Sequence, residues 1–562
     1  MSGLDWLLFG AFLCYVIWDG ARRARDSHTS EDFLLAGRHA PWWVIGLSIM
    51  ATQASAVTLV STTGKGWETG LEFAQFYFGL PLAMAILAVT LLPVYSRLKV
   101  YTAYEYLGNR FDRKTRLTAA ALFLALRGLS VGVILLAPSV VLSLMFGIDT
   151  VVGVIVIGVA AALYTTLGGM RAVLATDVKQ MTVMTVGTIV AFVVLLSRVG
   201  DEYGLEGAWR LAASTEHLTA IRWEWDPAKK YTIGSALVGG TLLFLAYFGT
   251  DQSQVQRTLA GRSLRHGQGA LALNAALKIP FQFLILGTGV LLFLFYTVET
   301  PPLSFVPGVG ETLPPAQLEE FRGEHERRAT RVKDAAIDLA TRSEVGGAAD
   351  PSRVEFVEAV RALRTHRDEF RAATDSAPQP EVNFAFPHFV YTALPAGIAG
   401  LLFAAILAAA LSSVDSELNA LPTVTVRDFY LFAAGHERSE ADLLRTARVA
   451  TLVWGALATL FALFVSEGAL IERVNEIGSY FYGSLLGAFI LAAIPIANGH
   501  GAFCGLLAGM VAVGAIQNSG INDGNGLPFL YLNTVGTATS VTVGAVVSLL
   551  RQVPRRGASL PS

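Results

Sequence analysis

An all-α polytopic membrane protein is predicted by three features of this 562-residue sequence. Apolar residues make up 53% of it and charged residues only 15%, where a soluble chain carries roughly 25% charged residues. About thirteen apolar stretches approach or reach the roughly 20 residues that cross about 30 Å of hydrocarbon. One segment, 301–387, is instead dense in charge and low in aliphatics, so the apolar character is partitioned along the chain.

Taken in order, the stretch 4–20 has no basic leader and no small-residue cleavage site, and reads as a retained span, not a signal peptide. The stretch 41–63 is interrupted by Ser48, Thr52, Gln53, Ser55 and Thr58, and Gly64 and Gly66 follow it. Such a segment is expected to break its helix and expose backbone carbonyls. Spans at 73–95, 117–146, 151–167, 176–198, 231–249 and 269–298 come next, then 388–414, 443–466, 474–496, 500–518 and 529–550. Arg22, Arg23, Arg25 and Arg38 follow the first span, and Arg97 to Arg116 lie between the third and fourth. Arg257, Arg262 and Arg265 are expected in the loop after the seventh, and Arg551, Arg555 and Arg556 end the chain. An odd number of crossings puts all of these on one side if the N-terminus is outside and the C-terminus cytoplasmic.

The segment 301–387 has helical patterning over 316–342 and 352–374, bounded by Pro and Gly, and reads as a solvated extracytoplasmic insert. Cys14 and Cys504 sit far apart in apolar segments, so neither a disulfide nor a metal site is expected. No Walker A sequence, selectivity filter or Arg-rich voltage sensor is present. No nucleophile–base spacing occurs at span depth, which leaves an enzyme without support. Nothing suggests a nucleic-acid partner or an organic cofactor.

Ionisable and hydroxyl groups inside apolar spans are costly and therefore informative. The stretch Ala404–Asn419, AAILAAALSSVDSELN, opens with small residues and closes in oxygen-bearing ones. On a helix, Ala409, Ser412, Ser413 and Ser416 share a face, with Asp415 at its edge. Several neutral oxygens with few charges suit a partly dehydrated monovalent cation. Asp177 begins the span at 176–198 near the same depth, and together with Ser412, Asp415 and Ser416 makes an oxygen-rich set for Na+ or a proton. Arg127 lies about ten residues into its span; a guanidinium there either snorkels to the interface or clamps a carboxylate. Lys278 is placed similarly in its own span.

Four stretches, GGMRAVLATDVKQ (168–180), TDQSQVQRTLAGRS (250–263), AAALSSVDSELNA (408–420) and YGSLLGAFILA (482–492), resemble the sodium/solute symporter family in this order. The resemblance runs from about residue 32 to 499, the insert excepted. It implies a LeuT-type five-plus-five inverted repeat with broken first and sixth core helices. An extra helix at 1–30 would precede it, 41–298 would hold the first half and the start of the second, and 388–498 the remainder. Two further helices and a short basic tail would fill 499–562.

The resemblance also implies sites. A first Na+ would be held by carbonyls of Ala51, Ala54 and Ala409 and hydroxyls of Ser412 and Ser413. A second Na+, or H+, would take Asp177, Ser412, Asp415 and Ser416, where Asp415 departs from the family's usual Ser. Between the broken helices the solute would meet Ser55, Thr58, Gln75, Tyr247, Phe248 and Asn475, with Arg127 and Lys278 as charged candidates. Tyr247 matches an aromatic inner gate of sugar carriers, yet Val57 and Thr58 replace the acidic–amide pair those carriers use. The run VGVILLAPSVVLS looks like the third core helix of the iodide, monocarboxylate and vitamin branch, and Arg127 resembles the arginine that sialic acid carriers give to a carboxylate.

Sodium-coupled import of a small, carboxylate-bearing solute across the cell or inner membrane is therefore the expectation. A sugar or polyol symporter is the alternative, and a transporter-like sensor is the reading from another class. The expected partners are a small-molecule solute and membrane lipid.

Overall fold

A computed structural model describes residues 3–24, 29–226, 229–310, 313–342, 350–374, 380–434, 438–464, 470–518 and 528–551. Arg25 and the basic tail beyond 551 lie outside the described residues. Among those described, nine helices are long and apolar enough to cross a membrane, and shorter apolar helices cover 3–12, 150–163 and 477–493.

Helix α1 (Gly3–Ala24) precedes α2 (Trp42–Gln53), which ends within the predicted broken span. Ala54 leaves the helical region (φ −90°, ψ 60°), and the chain resumes through a π-turn at Thr58–Thr62 into α3 (Thr63–Thr69). The break frees carbonyls of the last turn of α2, and buried carbonyls must find donors. The Thr58 hydroxyl donates to the Gln53 carbonyl (3.1 Å) and the Ser413 hydroxyl to the Thr52 carbonyl (3.1 Å). Hydroxyl residues at these positions thus make the interruption tolerable at membrane depth.

The chain continues through α4 (Leu80–Val89), α5 (Leu91–Leu98), α6 (Arg113–Phe146) and α7 (Thr150–Ser214). Helix α7 joins the spans expected at 151–167 and 176–198, and bends between them at Gly169, whose φ of +60° suits glycine alone. A Cβ there would also come within 2.7 Å of the Phe33 ring. Next, α8 (Thr241–Thr250) and α9 (Gln252–Leu259) form a second broken helix, interrupted at Asp251. Asp251 leaves the helix (ψ 122°), and its side chain caps α9 by accepting from the Ser253 amide (3.0 Å) and hydroxyl (2.7 Å). Arg257, expected in a loop, lies within α9 and is 1% exposed; polar residues on a short capped helix concealed a buried element.

Helix α10 (Leu264–Val298) runs against α2 and α3. A Cβ on Gly66 would lie 2.4 Å from the Leu286 carbonyl oxygen, so glycine there sets how closely α3 and α10 approach. The charged segment folds as α11 (Pro315–Thr341) and α12 (Pro351–Ala373), packed through Phe321, Phe370 and the buried Phe356. Arg364 of α12 donates to the Glu68 carbonyl of α3 (3.0 Å), and the buried Arg367 pairs with Glu381 (2.9 Å). The pair of helices thereby rests on the end of α3 and on α10.

Helix α13 (Ile398–Val424) is buried at every position from Leu402 to Val424. Its polar residues therefore face protein and not lipid, as intramembrane polar groups must. At its start, Asp5 of α1 accepts from the amides of Gly397 (2.7 Å) and Gly400 (2.9 Å). Helices α14 (Glu440–Ala462), α15 (Leu470–Ala493), α16 (Gly499–Asn518) and α17 (Phe529–Leu550) complete the chain. The last three pack closely, with Gly483 and Gly487 against α17 and Gly505 against Ser540 and Gly544.

His217, just past α7, is buried and stacks on Phe293 at 3.9 Å between ring centroids. The Trp67 carbonyl can only accept, so Nε2 carries the hydrogen toward it (3.2 Å), leaving Nδ1 to accept from the Thr215 hydroxyl (2.8 Å). Burial lowers its pKa to about 4. Between that value and the ordinary one near 6.5, the unfolded chain binds a proton that the folded one refuses, so stability rises with pH across this window and is lost as pH falls through it. His217→Gln is expected to flatten the dependence of Tm on pH between about 4 and 6.5, removing a change of up to about 3 kcal/mol. An unaltered Tm–pH curve in the variant would show that this histidine is not the group responsible.

Candidate functional site

The two helix breaks and α13 meet at a pair of buried polar centres. In the first, Ser413 of α13 points its hydroxyl at the Thr52 carbonyl of α2, and also lies 3.2 Å from the Ala409 carbonyl. Ala51, Ala54 and Ala409 are fully buried beside it. One residue along, the Ser412 hydroxyl donates to Asp177 Oδ1 of α7, and the Ser48 hydroxyl of α2 lies 2.5 Å from Asp177 Oδ2. The Ser416 hydroxyl is 2.9 Å from that of Thr52 and 2.5 Å from the Ser412 carbonyl. The expected residues therefore converge, drawn from α2, α7 and α13.

Arg257 joins them from α9. Its guanidinium donates to the Ser416 hydroxyl and to Ser48 Oγ (2.9 Å), and lies 3.4 Å from Asp177 Oδ2. A protein-borne cation thus shares the carboxylate expected to meet a bare ion. Asp415 is held separately: its Oδ1 accepts from the Thr165 hydroxyl of α7 (2.6 Å), while its fully buried Oδ2 has no hydrogen-bond partner. Arg257 balances Asp177, which leaves Asp415 as the carboxylate without a basic partner within bonding distance.

The second centre surrounds Arg127 of α6, which is 2% exposed. Its Nε pairs with Asp251 Oδ2 (2.5 Å), Nη1 with Glu417 Oε1 (3.1 Å), and Nη2 donates to the Tyr482 hydroxyl (2.7 Å). Tyr247 lies under the guanidinium at 5.0 Å. The arginine therefore does not snorkel; it ties the break at Asp251 to α6, α13 and α15. A cavity of about 80 Å³ opens beside it, lined among others by Ser55, Thr58, Arg127, Tyr247 and Asn475 as expected.

Gln75, Phe248 and Lys278 do not line this cavity. Gln75 is a backbone tie, accepting from the Arg222 amide (2.9 Å) and donating to the Tyr231 carbonyl (3.2 Å). Phe248 packs edge-on against Tyr247 (4.8 Å). The Lys278 ammonium is 5.0 Å from the face of Tyr77, itself a cavity residue, with no hydrogen-bond partner. The sequence reading missed Arg257, Thr165, Asp251, Glu417, Tyr482 and the aromatic lining Phe76, Tyr77 and Phe244. One signal was available for some of them: an arginine inside an apolar span demands carboxylate partners, and Asp251 and Glu417 sit in two of the stretches already singled out.

Two interrupted helices, an oxygen-rich cluster at one break and a cavity lined by residues of both, define a membrane carrier of the discontinuous-helix type. The sodium:solute symporter family model matches residues 33–306 and 370–509, passing over 307–369, where α11 and most of α12 lie. The chain belongs to that family; its coupling ion is Na+ and its cargo a small-molecule solute. It is 28% identical to the sodium-dependent multivitamin transporter of Oryctolagus cuniculus, over 98% of this chain and 77% of that one. It is 25% identical to the sodium/sialic acid symporter of Proteus mirabilis (97% and 94% covered), and 26% to the sodium-coupled monocarboxylate transporter 2 of Homo sapiens (88% and 69%). A solved structure of a substrate-bound, outward-open Na+-coupled sialic acid symporter superposes with a TM-score of 0.75 at 22% identity, covering 98% of each chain. The fold is thus the LeuT type expected from the sequence.

Proposed function

We propose that this protein imports a small, carboxylate-bearing organic solute together with Na+ by alternating access, its N-terminus outside and its C-terminus in the cytoplasm. The observation that carries the reading is the meeting of the broken end of α2 with Ser413 and Ala409 of α13, beside a cavity that contains Arg127. The first Na+ would take the carbonyls of Ala51, Ala54 and Ala409 and the hydroxyls of Ser412 and Ser413. Neutral oxygens from two elements fit a hard monovalent ion, and an ion joining them stabilises the state in which α2 and α13 are together. That differential affinity is what coupling requires.

A second cation would take Asp177, Ser412, Asp415 and Ser416. The unpartnered Asp415 Oδ2 supports it, while Arg257 already engages Ser416 and Asp177, so a second ion enters only as Arg257 gives way or on the Asp415 side. For the solute, Arg127 carries five N–H groups, of which Asp251, Glu417 and Tyr482 take three, leaving donors for a carboxylate. Relatives named for sialic acid and monocarboxylates lend the same lean.

Uptake into proteoliposomes with and without an imposed Na+ gradient tests the proposal; equal accumulation in both would refute sodium coupling. Ser413→Ala is expected to raise the Na+ concentration for half-maximal transport severalfold, and Asp415→Ser to change the Hill coefficient for Na+. Unchanged Na+ curves in both variants would overturn the site assignment.

A further inference from the structure

A second cavity, of about 390 Å³, lies where the end of α5 meets the approach to α2 and the loop between α9 and α10, and it shares no lining residue with the central one. Its volume falls in the range of small-molecule sites, about 300–1,000 Å³. Three cations line it, Arg38, Lys99 and Arg262, against one carboxylate, Glu31. Glu31 is already paired with Arg38 Nε (2.9 Å). Two further carboxylates stand near the lining residue Tyr101. Of these, Glu105 lies 3.6 Å from Arg116 and 3.8 Å from Arg427, and Glu440 accepts from the Ser30 amide (2.7 Å). Among the described residues, neither Lys99 nor Arg262 has a carboxylate within ion-pairing distance.

Arg38 belongs to the framework of this cavity. Its Nη2 donates to the carbonyls of Lys99 (3.0 Å) and Val100 (3.1 Å), which fastens the approach to α2 onto the end of α5. Arg262 gives its Nε to the His39 carbonyl (2.8 Å), and the Ala40 amide donates to the Ala260 carbonyl (3.0 Å). The other N–H groups of Arg262 and those of the Lys99 ammonium are left for a ligand. Arg38 and Lys99 also hold positive φ (+54° and +49°), a conformation that a residue with a side chain keeps only where its surroundings fix it. Ser96 and Ser263 add hydroxyls to the same lining. Two cations without carboxylates, with hydroxyls beside them, suit a phosphate, which accepts several charge-assisted hydrogen bonds at once. Leu92, Leu259 and Leu264 give the cavity an apolar wall, which suits the glycerol and first acyl carbons of a phospholipid and offers nothing to free phosphate. The ends of α5 and α10 set the cavity at the membrane boundary, beside Arg97 and Arg265. The orientation proposed above puts this face in the cytoplasm, whose leaflet carries the acidic lipids.

We propose that this cavity binds a phosphate group between Lys99 and Arg262, carried by an acidic phospholipid of the cytoplasmic leaflet. So seated, the phosphate joins the end of α5 to the loop that follows the second broken helix, where Arg38 and Arg262 already hold the approach to the first. Binding therefore favours the arrangement described here over any in which these ends separate. The site does not depend on what the carrier transports.

The test titrates the purified full-length protein in detergent, at fixed ionic strength, with dioctanoyl phosphatidate, dioctanoyl phosphatidylcholine and inorganic phosphate, reading Tm. Phosphatidate is expected to raise Tm where phosphatidylcholine does not, and inorganic phosphate to do so only at far higher concentration. The double variant Lys99→Gln, Arg262→Gln is expected to weaken phosphatidate roughly tenfold or more. Arg97→Gln with Arg265→Gln, which removes two exposed cations of the same face outside the cavity, should leave it within about twofold. The Tm of each variant without lipid reports its folding, and Arg262→Lys, which keeps the charge, should retain part of the response. Equal stabilisation by phosphatidate and phosphatidylcholine, or equal loss in the two double variants, would overturn the proposal. Inorganic phosphate as effective as phosphatidate would support the phosphate site and overturn its assignment to lipid.

Discussion

Replacing Arg127 by glutamine is expected to abolish transport and to cost about 3–5 kcal/mol of stability, the range for breaking a buried ion pair from one side. The variant leaves Asp251 and Glu417 both buried without their cation, and frees the break between α8 and α9 from α6 and α15. Arg127→Lys is not expected to rescue it. A guanidinium fork reaches Asp251, Glu417 and Tyr482 in three directions at once, whereas an ammonium is a compact point charge with different geometry. Urea or thermal unfolding in detergent reads the stability loss, and proteoliposome uptake reads the transport loss. Transport within twofold of the parent protein for either variant would show that this network does not hold the helix break.

Arg257→Gln should produce an effect of similar size with a distinguishing signature. Asp177 would lose the cation 3.4 Å away, and Ser416 and Ser48 would lose their donor. In the absence of Na+ the variant is expected to be destabilised by about 3–5 kcal/mol. Added Na+ should recover a larger part of that loss than it contributes to the parent protein, because binding to the native state alone adds RT ln(1 + [Na+]/Kd). The physical content is competition: while the guanidinium sits on Ser416 and Asp177, an ion at the second site has fewer oxygens to itself. A Na+ titration of Tm in both proteins measures it. Parallel titration curves would mean that Arg257 and the ion do not share ligands.

Much of this architecture was legible in the chain. The interruption of 41–63 by hydroxyls and an amide marked a broken helix because buried carbonyls released by a break need local donors, and Thr58 and Ser413 supply them. The face holding Ala409, Ser412, Ser413 and Ser416 was legible because helical periodicity fixes which residues share a side. The two helices of the insert followed from amphipathic patterning between Pro and Gly, and were found at 315–341 and 351–373.

What periodicity could not supply was partnership across the fold. Arg257 read as a loop cation because TDQSQVQR is polar throughout, and nothing local says that this short helix turns inward. Glu417 and Asp251 were passed over although both lay within stretches already singled out, since a wheel gives direction around one axis and not what stands opposite. Lys278 was given to the solute as an ionisable residue in an apolar span and Gln75 through the family resemblance; the packing sets one 5.0 Å from the Tyr77 ring and spends the other on backbone groups of Arg222 and Tyr231.

The sequence by itself determined the membrane class, the helix break within 41–63 and the oxygen-rich face of α13, because these depend on composition, turn chemistry and period. Only the tertiary structure decided which charges neutralise one another: Arg257 with Asp177, Arg127 with Asp251 and Glu417. Long-range electrostatic pairing depends on distances of a few ångströms between residues 80 or more positions apart, and no local pattern encodes them. That pairing leaves Asp415 and Glu417 each with one oxygen that has no hydrogen-bond partner.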